Sequence, residues 1–153
     1  MANTYSQHFF HVVFAVRHRE SLIHQEIKED LYKYMSGIIT NQNQKLFIIN
    51  GVPDHVHLLL NCKPDINLSS LIREVKEHSS KFINSTGLLR GKFYWQSGFG
   101  SFTISKRELP NIINYIKNQE KHHRSKSFRE EYLELLNEYD IEFREEYLFE
   151  FMS

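Results

Sequence analysis

Four residues of the 153-residue chain have types and spacings that could share one chemistry: His55 and His57, one residue apart, and Tyr115 and Gln119, four apart. In a β-strand, residues i and i+2 point to the same side. His55 and His57 then stand side by side on the sheet surface and can chelate a divalent ion through two imidazoles. Val56, Leu58 and Leu60 point the other way, into a core. In a helix, residues i and i+4 are neighbours on one face. Tyr115 therefore brings a phenolic oxygen, and Gln119 an amide oxygen, to one place beside the apolar stripe Leu109, Ile112, Ile113 and Ile116. Taken singly, each has an ordinary reading: two surface histidines, a half-buried flanking aromatic and a solvated amide. Together they suit phosphodiester cleavage. A metal held by His, His and an amide oxygen polarises a phosphate, and a phenolate attacks phosphorus to form a covalent phosphotyrosine. That intermediate keeps the bond energy, so strands can be rejoined. Two imidazoles make Mn²⁺ at least as good a fit as Mg²⁺, which favours oxygen ligands.

The elements that must position these residues follow from periodicity. His8, Phe10, Val12, Phe14 and Val16 alternate as a strand, which places His8 and His11 on opposite faces. One of the two could border the site, although core or surface places suit them as well. Gln25 to Asn41 has helical spacing. Lys45 to Val52 and His55 to Cys62 are strands around a turn over 51–54 that contains Gly51 and Pro53. Asn67 or Ser69 can cap a helix running to about Asn84. Phe93 to Ile104 reads as extended. Ser105 to Glu108 has the capping-box pattern, while Pro110 favours a helix start nearer Glu108; that helix runs to about His122. A last helix spans Phe128 to Tyr139, and the acidic, apolar tail Ile141 to Phe151 has no clear element. The order is strand, helix, strand, strand, helix, strand, then helices. That is the ferredoxin-like split βαββαβ unit, an α+β fold with an antiparallel sheet and helices on one face. The other face is expected to stay free for a ligand.

Composition bounds the rest. Apolar residues make up 41% and charged residues 25%, which is globular. The length fits one domain over 1–153, with a core of about 5–128 and an acidic extension of 128–153. The single cysteine, Cys62, excludes a disulfide framework and a cysteine-built zinc site. No signal pattern or membrane-length apolar run is present, so a cytoplasmic protein with no membrane association is expected. Nineteen basic and nineteen acidic residues cancel, but residues 63–127 hold 12 basic against 5 acidic, and 128–153 hold 2 against 9. A positive middle suits a polyanion; the plain alternative is two solvated helix faces. Arg73 and Lys76, with Lys81, and Lys117 and Lys121, with Arg124 and Lys126, are candidate phosphate contacts. Trp95 and Phe99, with Phe93 and Tyr94, are candidates for stacking on unpaired bases, with core packing an equal reading for Trp95 and Phe99.

The segment from Gly51 to Leu60, the helix from Tyr115 to His123, the aromatic segment Phe93 to Phe102 and the run Leu71 to Lys76 resemble the single-tyrosine HUH transposases of the insertion-sequence 200/605 type. They also resemble their relatives, the repeat-associated tyrosine transposases. The resemblance covers about Tyr5 to Phe128. It implies His55, His57 and Gln119 as ligands of Mg²⁺ or Mn²⁺, Tyr115 as nucleophile, and single-stranded DNA with hairpins at element ends as substrate. It also implies a homodimer in which the tyrosine helix of one subunit completes the site of the other, with the acidic extension capping the dimer or covering the DNA surface. The second reading is a domesticated or non-catalytic nucleic-acid-binding protein of the same fold; the intact four-residue set argues against it. Replication initiators and relaxases of HUH type usually carry further domains, for which this chain has no room.

Overall fold

A computed structural model describes residues 4–144 and 148; part of the tail considered above, residues 145–147 and 149–151, lies outside them. Four strands, β1 (Phe9–Ala15), β2 (Lys45–Val52), β3 (His55–Asn61) and β4 (Gly100–Ile104), form one antiparallel sheet in the order β2-β3-β1-β4. Helices α1 (Gln25–Asn41) and α2 (Leu68–Thr86) join them in the expected split order. Then come α3 (Leu109–Lys117), α4 (Gln119–His122) and α5 (Phe128–Glu138). The ends obey local rules. Asn67 caps α2 by accepting from the Ser70 amide, and Gly87 closes it in the left-handed region at φ 71°. The Ser105–Glu108 capping box forms on a 3₁₀ turn that leads into α3. Phe93 to Phe99 is irregular rather than extended throughout, meeting the sheet edge by a Val16–Trp95 bridge.

One face of the sheet carries Val12, Phe14, Val56, Leu58 and Leu60. It packs on Ile27, Leu31 and Met35 of α1 and on Leu71, Ile72 and Val75 of α2, all buried. The opposite face carries Phe9, His11, Leu59 and Ile104 with His55 and His57. It does not stay free. Ile116 of α3 packs on Phe9, Leu59 and Ile104, and Phe128 of α5 stacks on the His55 ring at 3.8 Å between centroids. The expectation of surface histidines is therefore corrected: both are fully buried. The physical reason is in the same register, because Leu59 and Phe9 share the histidines' face and need an apolar cover. The acidic extension supplies part of that cover, since α5 lies on its own chain's sheet.

The β2–β3 hairpin is a tight point. A Cβ added at Gly51 would lie 2.1 Å from the His55 carbonyl oxygen, whereas at Gly37, inside α1, it would meet nothing within 4 Å. Gly51→Ala should therefore destabilise the fold by about 3 kcal/mol through backbone overpacking. Gly37→Ala should stabilise it by about 0.5–1 kcal/mol through helix propensity. Chemical denaturation midpoints that moved in the same direction for both variants would contradict this account.

Candidate active site

The site is built on the two central strands. In the β1–β3 register His57 faces Val13 and His55 faces Ala15, so both rings project from the middle of the sheet. Tyr115 reaches them from α3. The C-terminal end of that helix is pinned by Asn50 of β2, whose Nδ2 donates to the carbonyls of Ile116 (2.9 Å) and Lys117 (3.2 Å). These are terminal carbonyls that the helix itself leaves unpaired. The backbone then breaks at Asn118 (φ −99°, ψ 25°) and α4 begins with the buried Gln119. The Tyr115 ring lies edge-on to His57 at 5.7 Å and to His11 at 6.0 Å between centroids, and 4.8 Å from His122. Tyr115 thus stands beside its own chain's histidines. Within the single chain described, the tyrosine helix meets its own histidines.

Glu131 of α5 is the member that sequence reasoning missed. Its Oε1 lies 3.1 Å from His57 Nε2, 3.1 Å from His123 Nε2 and 3.4 Å from His55 Nε2. Its Oε2 accepts from Gln119 Nε2 at 3.1 Å and from the Tyr115 hydroxyl in a short hydrogen bond. The signal was available: Phe128, Glu131, Tyr132, Leu135 and Leu136 fall on one helical stripe, all buried, and Glu131 is the one charged residue on it. His11 also belongs here. Its Nε2 lies 2.8 Å from His57 Nδ1.

Electrostatics follow from burial and these contacts. Burial acts to raise the Glu131 pKa, but the charge and hydrogen bonds of His57, His123 and His55 outweigh it and hold the carboxyl well below the usual carboxylate range. Burial acts to lower His55; the Asp54 carboxylate, 2.7 Å from its Nδ1, together with Glu131, overcomes this and raises it. His57 is lowered, chiefly by burial, and burial with the His57 charge pushes His11 down to about 3. The Tyr115 phenol is raised by burial and then by the Glu131 charge, so without a cation the phenol stays neutral.

The donor set fits a divalent ion. One ligand atom each from His55, His57 and Glu131 lie within 4.8 Å of one another. His55 Nε2 and Gln119 Oε1 are buried without a hydrogen-bond partner, and buried polar atoms rarely stay unpaired without a reason. Two imidazoles, a carboxylate and an amide oxygen suit Mn²⁺ or Mg²⁺.

The other residues considered from the sequence lie apart from this cluster. Arg73, Lys117 and Lys121 are exposed. Lys76 Nζ donates to the carbonyls of Gln96 (2.8 Å) and Gly98 (2.5 Å), holding the aromatic segment to α2. Trp95 is core: its ring packs edge-on to Phe14 and Phe93, and its Nε1 donates to Ser79. Phe99 is half-buried and, with Arg73 and the exposed Tyr94, lines a groove of about 430 Å³ between α2 and the segment 94–99.

Comparison with known proteins adds an independent line. The profile of the IS200-like transposases matches residues 4–119. The ISDra2 transposase TnpA of Deinococcus radiodurans is 24% identical over 115 residues, covering 72% of this chain and 82% of that protein. The transposase for insertion sequence element IS200 of Salmonella typhimurium is 26% identical over 115 residues, covering 72% and 75%. The fold superposes on a crystal structure of a Deinococcus radiodurans R1 protein with a TM-score of 0.63 at 22% identity, covering 78% of this chain and 95% of that one. A REP-associated tyrosine transposase bound to a REP hairpin superposes with a TM-score of 0.62 at 17% identity, covering 80% and 73%.

A carboxyl held low in the folded chain adds stability above its unfolded pKa of about 4.3, and that stability drains away as pH falls below this value. The metal-free chain should therefore weaken steeply in acid. Glu131→Gln should cost about 3 kcal/mol at pH 7, by leaving the buried imidazoles without their counter-charge, and should flatten the acid limb. Thermal melts from pH 3 to pH 7 measure both; an acid limb unchanged in the variant would place the acid sensitivity elsewhere.

Proposed function

The chain belongs to the IS200-like transposase family, and from that premise we propose that it cuts and rejoins single-stranded DNA through a 5′-phosphotyrosine on Tyr115. The observation that carries this reading is the convergence of Tyr115, His55, His57, Gln119 and Glu131 in one buried cluster within a single chain. His55, His57, Gln119 and Glu131 are the residues that would hold Mg²⁺ or Mn²⁺. Such an ion would supply positive charge that polarises the scissile phosphate and offsets the carboxylate opposing phenolate formation.

The chain's own residues do the rest. Asn50 and the break at Asn118 set where α3 ends, and so where the phenol stands. The Tyr115 hydroxyl already donates to Glu131 Oε2, which fixes its orientation. As the Tyr115 oxygen bonds to phosphorus, the bond from phosphorus to the 3′ oxygen breaks. The proton lost by the phenol is balanced by the one the 3′ oxygen takes up as it leaves as a hydroxyl, and the 5′ phosphate remains on Tyr115. Rejoining is the reverse: a 3′ hydroxyl attacks the phosphotyrosine and the phenol recovers its proton. The substrate in this reading is a strand carrying a hairpin at each element end, with the groove lined by Arg73, Tyr94 and Phe99 as a candidate path for it. Where two copies pair, each brings a complete site.

Tyr115→Phe keeps the ring and its packing but lacks the attacking oxygen. It should bind hairpin DNA about as well as the parent and form no covalent adduct. With Mn²⁺ and DNA labelled on the 3′ side of the cut, the parent should carry label on Tyr115, seen on denaturing gels and mapped by peptide mass spectrometry. An adduct of normal yield in the variant, or one mapped to Tyr94 or another tyrosine, would show that the nucleophile is elsewhere.

A further inference from the structure

We infer that His11 is a positioning residue for the metal centre: its Nε2 holds the His57 ring so that His57 Nε2 faces the ion position. This rests on the reading of His57 as a ligand given above and extends it to a residue outside the ligand set.

An imidazole can offer a lone pair from one nitrogen only when its proton sits on the other. The partner of that second nitrogen therefore holds the ring orientation and, where it can only accept, also decides the tautomer. For His55 the partner is a carboxylate, Asp54 Oδ1, 2.7 Å from Nδ1. An ionised carboxylate only accepts, so the proton stays on His55 Nδ1 and Nε2 is left bare. For His57 the partner is a second imidazole, with His11 Nε2 2.8 Å from Nδ1. An imidazole nitrogen can accept or donate according to its tautomer. When His57 ligates through Nε2, its Nδ1–H donates to His11 Nε2, and His11 keeps its own proton on Nδ1. When no ion is bound, His57 Nε2–H can donate to Glu131 Oε1 at 3.1 Å. His11 Nε2–H then donates to the bare His57 Nδ1. Each ring carries one proton in both arrangements, and the ring orientation is the same.

Packing holds His11 for this task. It is buried on β1, its ring stacks on His57 at 5.0 Å and 27°, and it lies against Phe102 at 5.9 Å and Tyr115 at 6.0 Å. Its Nδ1 is buried without a hydrogen-bond partner, which is unfavourable. A phenylalanine would fill this aromatic surrounding without that penalty, so what the imidazole contributes lies at Nε2.

The test uses the whole chain with His11→Phe, His11→Gln and His11→Asn. Gln can present a polar atom near the position of imidazole Nε2; Asn is too short, and Phe has none. Mn²⁺ binding, followed by the electron paramagnetic resonance of free Mn²⁺, should weaken about 10–100-fold in the Phe and Asn variants and return to within a few-fold of the parent in His11→Gln. In the metal-free chain, long-range ¹H–¹⁵N spectra should show the His57 Nδ1 resonance displaced in His11→Phe, where Nδ1 loses its hydrogen bond to His11, and nearer its parental position in His11→Gln. Parental Mn²⁺ affinity in His11→Phe, equal losses in folded Phe and Gln variants, or an unmoved His57 Nδ1 resonance in His11→Phe would each overturn the assignment. If His11→Phe does not fold, the Asn and Gln variants carry the same comparison in both measurements. A parent that binds no Mn²⁺ would sink the metal reading of the preceding subsection alone, and the His57 Nδ1 resonance would still decide whether His11 holds the ring.

Discussion

A carboxylate that loses its water must find its hydrogen bonds and counter-charge in the protein. Glu131, with 3% of its side chain exposed, finds them in His55, His57, His123, Gln119 and the Tyr115 hydroxyl. These partners come from β3, α3, α4 and the segment after α4, so one buried charge ties together parts of the chain that are distant in sequence. Its removal would leave several buried polar groups unpaired at once. That is why the seating of α5, the orientation of Tyr115 and the grouping of the imidazoles stand or fall together.

The sheet divides its labour between its faces. The face covered by α1 and α2 is apolar, and it supplies the stiffness that a geometrically exacting site needs. The other face is apolar only in part. Phe9, Leu59, Ile104 and Ile116 form a small cluster at one end, and the titratable groups occupy the rest. Placing imidazoles on β1 and β3, the central strands, fixes their spacing by backbone register rather than by loop conformation. Lys76 plays a comparable role outside the site. Its ammonium binds two backbone carbonyls of the segment 93–99, which has little regular structure of its own, and burial lowers its pKa to about 8.

The region matched by the IS200-like transposase profile ends at residue 119, so Gln119 is its last residue and Glu131 lies beyond it. The acidic segment that follows is therefore not a mere solvated appendage. Its helix covers the second face of the sheet and adds a carboxylate to a group of His and Gln side chains. Among the described residues, no helix is long and apolar enough to cross a membrane.

Periodicity was enough for the element order and the antiparallel split βαββαβ sheet, and local pattern offered Asn67 as one of two caps and Ser105–Glu108 as one of two helix starts, because these depend on neighbours within a few residues. The pairing of His55 with His57 and of Tyr115 with Gln119 was legible for the same reason: i and i+2 in a strand, or i and i+4 in a helix, share a side whatever the rest of the chain does. What local pattern could not decide was which surfaces meet. Leu59 beside the histidines and the stripe of Ile112, Ile113 and Ile116 each signalled a need for cover, but neither named its partner. Glu131 read as one more acid in an acidic tail, and His11 as a strand histidine with several possible places. Only the packing of α3 and α5 on the second face brought them to His57, because desolvation and hydrogen-bond pairing act between groups close in space, and a buried carboxylate acquires its role from the imidazoles around it.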